Sequence, residues 1–278
     1  MVRSIWKSWA FLFFLTCLIL SLGWVLGKRD GLLWAVPLVL SINYFLLIHS
    51  GWKIVDESTE RELGGQDSWG LGASLKTLCN KAQVKAPEVW ILESSTPQAF
   101  VVGRLSSSTK LYVTQGFLDR LDHDEREAIL AFEVAILKLR LQFSFAVLGA
   151  FFDGVFWSLG GVNRAVAWIL GTKRRQAKNL TLWMVWPVLY VVQRWCVTKE
   201  DYFRIDETAV ALSGNAGALA QALWKIESTS LTQPIRSEPA WNHLFPVIPA
   251  DPDGPMRFLQ PHPTARERVL HLNGGFPV

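Results

Sequence analysis

Residues 118–136 decide how this sequence is interpreted, and they read LDRLDHDEREAILAFEVAI. Asp122 and Glu125 have the spacing of a capping box, in which each side chain bonds the backbone amide of the other residue at a helix start. Farther along, Phe132 and Ile136 are four residues apart and fall on one helical face. The stretch therefore predicts a helix that begins at Asp122 and turns an apolar face toward a core.

The sequence before this helix has the composition of a small β-sheet. A helix is predicted near residues 71–83, and strands are predicted at 88–92, 99–102 and 110–114, where β-branched and aromatic residues are concentrated. Together with the Asp122 helix, these elements predict a folded soluble part of mixed α and β structure.

Four apolar runs indicate membrane helices. Residues 9–27 and 31–48 are separated by only three charged residues, and each run is long enough to cross about 30 Å of hydrocarbon. No cleavage site of small residues closes the first run, so it is interpreted as a membrane helix and not as a secretory signal. The runs at 141–161 and 180–197 predict a second transmembrane hairpin.

The predicted organisation alternates membrane and soluble parts. The parts are a transmembrane hairpin at residues 1–49, a first soluble part at 50–140, a second hairpin at 141–198 and a second soluble part at 199–278. Because each hairpin returns the chain to the side from which it came, the two soluble parts can form one domain. Hydrophobic residues make up 50% of the chain, which agrees with a membrane region plus one soluble domain.

The charged residues and cysteines exclude several classes of function. The 28 basic and 24 acidic residues are spread along the chain, so we expect ordinary solvated surface and no binding of nucleic acid. The three cysteines form no CxxC pair, so neither a disulfide framework nor a cysteine zinc site is predicted. Basic residues flank both ends of the apolar runs, so they leave open which side of the membrane holds the domain.

Residues 124–136 resemble the active-site helix of HtpX-like membrane zinc metalloproteases, the CAAX prenyl protease and HtpX type, in which the helix carries HExxH. Three other blocks add to the resemblance: 97–103 is similar to the family's edge strand, 213–226 to the helix after its third ligand, and 261–268 to its C-terminal block. The resemblance spans about residues 31–273. It implies an α+β fold with a four-helix transmembrane region and a mostly helical zincin-like domain carrying a small β-sheet.

The resemblance also implies a zinc site, but the ligand positions differ from the family pattern. In HExxH the two histidines bind zinc and the glutamate between them is the general base. Here Phe132 and Ile136 stand at the histidine positions, and Tyr202, four residues before Asp206, stands at the position of the third ligand. Glu133 keeps the position of the general base. We therefore expect a degenerate family member with a vestigial base, no metal ligand set and no cofactor.

Other residues receive roles only through the resemblance. His262 matches a position associated with the reacting carbonyl oxygen, and a structural hydrogen bond or a helix start is the alternative. Arg266, Arg268 or His262 is expected to balance the charge of Glu133. The candidate peptide-binding edge consists of Ala99, Phe100, Val101 and Val102, because strand addition needs only backbone groups.

These observations favour a pseudoprotease, a scaffold, adaptor or regulator that binds other membrane proteins without cutting them. We expect an integral protein of the bacterial inner membrane, with the lipid bilayer and membrane proteins as its partners and the domain on the cytoplasmic side. One alternative is an active membrane metalloendopeptidase with an unusual metal site. A second alternative is a structural subunit of a larger membrane complex, for which the 14 tryptophans would provide contact surface.

Overall fold

A computed structural model describes residues 3–48, 60–63, 67–103, 109–171, 174–233, 239–247 and 263–274 of the chain. The helices are α1 (Arg3–Ile48), α2 (Leu71–Ala82), α3 (Gln115–Arg120), α4 (His123–Lys138), α5 (Gln142–Leu170), α6 (Arg174–Cys196), α7 (Lys199–Ser213), α8 (Ala216–Thr232) and α9 (Ala265–Leu272), with a 3-10 helix at Pro239–Leu244. The strands are β1 (Glu60–Glu62), β2 (Glu88–Leu92), β3 (Ala99–Val102) and β4 (Lys110–Thr114). The three predicted strands are confirmed.

The first predicted hairpin is formed by α1, which is two helices joined at Lys28. The backbone of Lys28 has a left-handed φ of 47°, and the chain turns back at this residue. Across the two arms, Asn43 donates a hydrogen bond of 2.9 Å to the hydroxyl of Thr16. The arms meet closely, since a Cβ built on Gly31 would lie 1.9 Å from the carbonyl oxygen of Gly23. Only glycine at position 31 allows the backbones to approach so closely.

Two helical stretches among the described residues are long and apolar enough to cross a bilayer. They are Trp6–Leu47, which contains both arms of α1, and Gln142–Ile169 in α5. α6 packs along α5 and also contacts α1, as the predicted second hairpin requires, but α6 is not one of these stretches. The predicted count of four membrane helices therefore stays a prediction.

The membrane helices are joined to each other by polar and aromatic contacts. The hydroxyls of Ser8 in α1 and Ser144 in α5 form a buried hydrogen bond of 2.8 Å. Close by, the rings of Trp9 and Phe143 stack with their centroids 5.5 Å apart. α1 is thus fixed against the first turn of α5, where α5 leaves the soluble domain.

The sheet is mixed and has the order β1-β2-β4-β3. β2 and β4 are parallel, whereas β1 pairs antiparallel with β2 and β3 pairs antiparallel with β4. β3 is therefore an edge strand, as the resemblance implied. The hydroxyl of Thr114, at the end of β4, donates to the carbonyl of Thr96 and accepts from the amides of Gln98 and Phe117, so one side chain ties the start of β3 to the start of α3.

α4 begins with the predicted capping box. The side chain of Asp122 accepts from the amide of Glu125, and the Glu125 carboxylate accepts from the amide of Asp122, both at 2.9 Å. The prediction of a single apolar face was too narrow, because residues 128–137 are buried all around the helix. α2, β3, α7 and α8 surround α4, which makes it the central helix of the domain.

Contacts join the two soluble parts of the chain. The ammonium of Lys225 in α8 lies 2.6 Å from the buried carboxylate of Glu125 in α4. The guanidinium of Arg120 donates to the side chain of Gln233 at 2.8 Å, on the other side of the second hairpin in sequence. α4 from the first part also packs against α7 and α8 from the second. The proposed division into four segments nevertheless stays a prediction.

Candidate functional site

The structure brings together the positions that the sequence assigned to one site. Phe132 and Ile136 lie one turn apart on α4, and Tyr202 lies on α7, which packs against α4. The exposed fractions of these three side chains are 1%, 2% and 1%. α7 is positioned by its own capping box, in which the amide of Thr198 donates to the carboxylate of Asp201 at 3.0 Å. The three positions thus face a closed interior and not an open cleft.

Glu133, in the position of the general base, is completely buried. Its Oε2 accepts a hydrogen bond of 2.9 Å from the backbone amide of Val101 in β3. Its Oε1 has no hydrogen-bond partner in the part of the chain that the structure describes. Burial raises the pKa of Glu133 well above its ordinary value, and the Val101 amide and the charge of Arg268 only partly oppose this. Burial therefore favours the neutral form of this carboxyl group more than it would be favoured in an exposed glutamate.

Arg268 is the basic residue beside Glu133, but its hydrogen bonds go elsewhere. The guanidinium is only 1% exposed, and the carboxylate of Asp206 is completely buried. The two groups form a bidentate ion pair, with a distance of 2.8 Å between Nε and Oδ2. It also donates to the carbonyl of Pro246 and lies 4.7 Å from the centre of the Phe132 ring. Of the three expected partners for Glu133, Arg268 is close, whereas Arg266 is exposed. Asp206, which located the third ligand position in the sequence, is therefore one member of a buried ion pair.

Tyr202 is bonded through its hydroxyl and stacked through its ring. The hydroxyl donates to the carbonyl of His243 at 3.1 Å, and the ring stacks on Phe145 of α5. Burial raises the pKa of Tyr202 well above its ordinary value, so the phenol stays neutral and keeps its proton as a donor. Burial likewise lowers the pKa of His243 to about 4, so its ring is neutral at pH 7 and is 2.7 Å from the carbonyl of Phe145.

Two predicted site features, the peptide-binding edge at β3 and His262, are not tested by the structure. β3 lies at the sheet edge, but Ala99, Phe100 and Val101 are at most 3% exposed, and the Val101 amide is already bonded to Glu133. A peptide-binding role for this edge stays a prediction. His262 lies outside the described residues.

The sequence did not point to residues 239–247, which we call the strap segment. This segment consists of the 3-10 helix Pro239–Leu244 and the bend that follows it. It packs Trp241, His243 and Phe245 against the site. Neither helical nor strand periodicity marks it, and only the prolines at 239 and 246 signal an irregular segment.

Comparison with known proteins identifies the family. The model of peptidase family M48 matches residues 70–275. A protease HtpX homologue of Pelotomaculum thermopropionicum is 27% identical over 274 residues, which are 96% of this chain and 97% of that protein. Another, of Thermococcus sibiricus, is 28% identical over 268 residues, which are 93% of this chain and 91% of that protein. The match therefore includes both the membrane helices and the domain.

A solved structure shares the fold. The crystal structure of S. mikatae Ste24p superposes with a TM-score of 0.50 and 14% sequence identity, and the match covers 98% of this chain and 65% of that chain. This chain thus spans less than two thirds of that protein. At this identity the likeness concerns the arrangement of helices and strands alone.

The expectation that the chain has no cofactor is wrong. Family M48 and its HtpX members are zinc metalloproteases, and relatives at 27% identity give no ground for a loss of zinc. At the three ligand positions, however, Phe132 and Ile136 carry no donor atom and the Tyr202 hydroxyl is bonded to His243, so these side chains do not fit the ion. Within the described ranges, no group of three His, Cys, Asp or Glu side chains fits it either.

Family membership also shows that the chain is a membrane protein. HtpX and Ste24 relatives are integral membrane proteins, and the described residues of this chain contain two candidate spans and a mixed four-stranded sheet within a mostly helical structure. The blocks that carried the resemblance in the sequence fall within the matched residues. The chain therefore belongs to peptidase family M48, as an HtpX-like membrane metalloprotease homologue.

Proposed function

We propose that this chain is a proteolytically inactive M48 homologue that acts as a membrane-bound scaffold, adaptor or regulator for other membrane proteins. The observation that supports this best is the environment of Glu133, whose carboxyl group is completely buried and bonded to the Val101 amide. A general base must reach the proton it removes within about 3 Å and must be ionised to accept it. Burial and the bond to the Val101 amide both work against these conditions at Glu133.

The neighbouring side chains strengthen this argument. The Phe132 ring stacks under Arg268, and the Arg268 guanidinium is bound to Asp206. Phe132, Arg268 and Asp206 are thus engaged in packing and ion pairing, and Tyr202 keeps its proton because its pKa is raised by burial. An arrangement of this kind stabilises a folded domain, and it leaves partner binding as the function that the fold can still support.

Partner binding is assigned to the neighbourhood of β3. Strand addition at a sheet edge draws its affinity from backbone groups and tolerates the loss of catalytic side chains. Because Glu133 holds the Val101 amide, a partner that binds here must use the remaining backbone groups of Ala99–Val102 or the surface beside them. Other membrane proteins are the proposed partners, since α1 and α5 hold the domain at the bilayer.

We place the protein in the bacterial inner membrane with its domain on the cytoplasmic side. The ammonium of Lys7 in α1 lies 3.9 Å from the carboxylate of Asp201 in α7, so the basic N-terminal end of α1 is on the same side as the domain. Basic residues near membrane helices favour the cytoplasmic side. Lys28 and Arg29 lie at the other end of this hairpin, and protease accessibility in sealed vesicles tests the orientation.

A peptidase assay tests the proposed inactivity. Detergent-purified protein is incubated with zinc and an unfolded substrate such as casein, alongside the Glu133→Gln variant, and products are identified by mass spectrometry. The two proteins should show the same background. Cleavage by the parent that Glu133→Gln abolishes would contradict the proposal and favour an active metalloendopeptidase with an unusual metal site.

Affinity purification in mild detergent separates a regulator from a structural subunit. A scaffold or regulator should bring down several membrane proteins in less than equal amounts. One partner recovered at fixed stoichiometry under all conditions would favour the alternative of a structural subunit.

A further inference from the structure

Asp153 of α5 lies deep inside a candidate membrane span. The span runs from Gln142 to Ile169, and Asp153 lies eleven residues after its start and sixteen before its end. At 1.5 Å per residue, Asp153 is therefore at least about 16 Å along the helix from either end of the span, whereas half of a hydrocarbon layer is about 15 Å thick. An aspartate side chain is too short to reach the water at either surface of the membrane from this depth.

The carboxyl group of Asp153 has no partner among the residues that the structure describes. It forms neither a hydrogen bond nor an ion pair with them, and the side chain is partly exposed at the helix surface. The only basic residue of α5 is Arg164, eleven residues farther along. Arg164 lies five residues from the end of the span, so its long side chain can reach the membrane surface. A carboxyl group at the depth of Asp153 is costly unless another group pairs with it.

Asp153 begins an open face of α5 that continues to the end of the span. Asp153, Trp157, Gly161, Arg164 and Trp168 are spaced four, four, three and four residues apart, so they lie on one side of the helix, which we call the outer face. Trp157 and Trp168 are 83% and 85% exposed. In the described part of the chain, a Cβ built on Gly161 would meet nothing within 4 Å. A small residue between large ones lets a second membrane helix approach closely.

A second copy of this chain does not fit the outer face. Two copies in one membrane have the same orientation, so a two-fold interface on this face would place Asp153 opposite Asp153 and Arg164 opposite Arg164. Like charges repel one another, and they do so more strongly away from water. The face is instead complementary to a helix that carries a positive charge at the level of Asp153.

We propose that the outer face of α5 docks a transmembrane helix of another membrane protein, and that a lysine or arginine near the middle of that helix pairs with Asp153. The inference rests on the proposed function, because it specifies the partner chemistry of the membrane-bound scaffold. Gly161 leaves room for the backbone of the partner helix, and Trp157 packs against its side chains. The pair satisfies the Asp153 carboxyl group, which this chain leaves without a partner among its described residues.

Model helices in vesicles test this pairing. The full-length protein, with a donor dye at its N-terminus, is reconstituted into phosphatidylcholine vesicles together with transmembrane peptides of leucine and alanine that carry an acceptor dye. The first peptide has an arginine at its centre, the second has a leucine there, and the third has the arginine four residues from one end. Energy transfer measures the association of each peptide with the protein. The lipid has no net charge, so it does not favour one peptide over another by charge.

We expect the peptide with the central arginine to bind the parent at least about tenfold more tightly than the other two, a factor that corresponds to about 1.4 kcal/mol. Asp153→Asn should remove this preference. Asp30→Asn is the matched control, because Asp30 is exposed at the turn of α1 and the chemical change is the same. Asp153→Lys should in turn prefer a peptide with a central glutamate, since the charges of the pair are then exchanged.

Three results would overturn the inference. One is equal binding of the three peptides to the parent, which does not depend on the folding of any variant. Another is an unchanged preference in an Asp153→Asn protein that melts like the parent. The third is rapid disulfide cross-linking between two copies of a Gly161→Cys variant without native cysteines, which would make a second copy the occupant of the outer face. Peptidase activity that requires Glu133 would instead refute the proposed inactivity and leave the docking face in place.

Discussion

The two carboxyl oxygens of Glu133 lie in different environments, and the titration of this group makes the stability of the protein depend on pH. Oε2 is held by the Val101 amide, and the raised pKa favours a proton on the carboxyl group. Below the ordinary pKa of 4.5 both the folded and the unfolded chain are protonated at this position, and the stabilising contribution is complete. As the pH rises above that value, the unfolded chain releases the proton first, so stability falls with increasing pH.

Glu133→Gln should remove this pH dependence, because glutamine keeps an acceptor for Val101 and cannot ionise. We expect the variant to melt at a higher temperature than the parent at pH 8, and we expect the difference to vanish near pH 4. The slope in the parent can reach about 1.4 kcal/mol per pH unit from this one group. Melting temperatures in detergent across this range measure it. Equal slopes for both proteins would mean that Glu133 is ionised when folded.

Arg268 and Asp206 form a second feature at this scale, a buried ion pair. Arg268→Met should destabilise the protein by about 3–5 kcal/mol, because it leaves the buried Asp206 carboxylate without its partner. The double change Arg268→Met with Asp206→Leu should recover a large part of that loss. Chemical denaturation of the three proteins measures the coupling between the two residues.

Lys199 provides the matched control for that experiment. Its ion pair with Glu267 of α9 is exposed on both sides, at 37% and 45%, and Lys199→Met should cost less than about 1 kcal/mol.

Additive effects of the Arg268 and Asp206 changes would show that the two side chains act independently and would contradict the buried pair.

The elements show what the sequence can and cannot predict. β2, β3 and β4 have the predicted bounds because β-branched and aromatic residues mark them, and the start of α4 is fixed by its own capping box. β1 is three charged residues that pair with β2 through the backbone alone, so it has no signal in the sequence. The grouping of Phe132, Ile136 and Tyr202 followed from the motif, whereas the bond from Val101 to Glu133 and the strap segment depend on tertiary packing between distant parts of the chain.

The close approach inside α1 gives a test at the scale of elements. Gly31→Ala places a methyl group against the Gly23 carbonyl, so we expect the two arms to separate near the turn. Gly27→Ala is the control, because a Cβ on Gly27 meets nothing within 4 Å and the change in helix propensity is the same.

Cysteines at positions 16 and 43, in a chain whose native cysteines are serine, report the pairing of the arms. They should cross-link rapidly in the parent and in Gly27→Ala, and at least about tenfold more slowly in Gly31→Ala, a factor that corresponds to about 1.4 kcal/mol. Equal rates in all three would mean that the glycine contact does not set the hairpin.

At the scale of the whole molecule, membrane helices and domain form one structure. The spans in α1 and α5 predict that the protein stays in the membrane fraction after alkaline carbonate treatment. Protease added to sealed, inside-out inner-membrane vesicles should digest the domain, because Lys7 places the N-terminal end of α1 beside it. Release by carbonate would contradict the membrane assignment, and protection of the domain would reverse the proposed orientation.

The hydrogen bond between Ser8 and Ser144 has a mechanical consequence. Ser144 directly precedes Phe145, whose carbonyl lies 2.7 Å from the ring of His243 in the strap segment. A tilt of the first membrane helix, such as a thinner bilayer imposes, is therefore applied one residue away from the point that holds the strap segment. Strain on the first membrane helix would therefore reach the packing of the strap segment against α5, and we expect bilayer thickness to affect the stability of the domain.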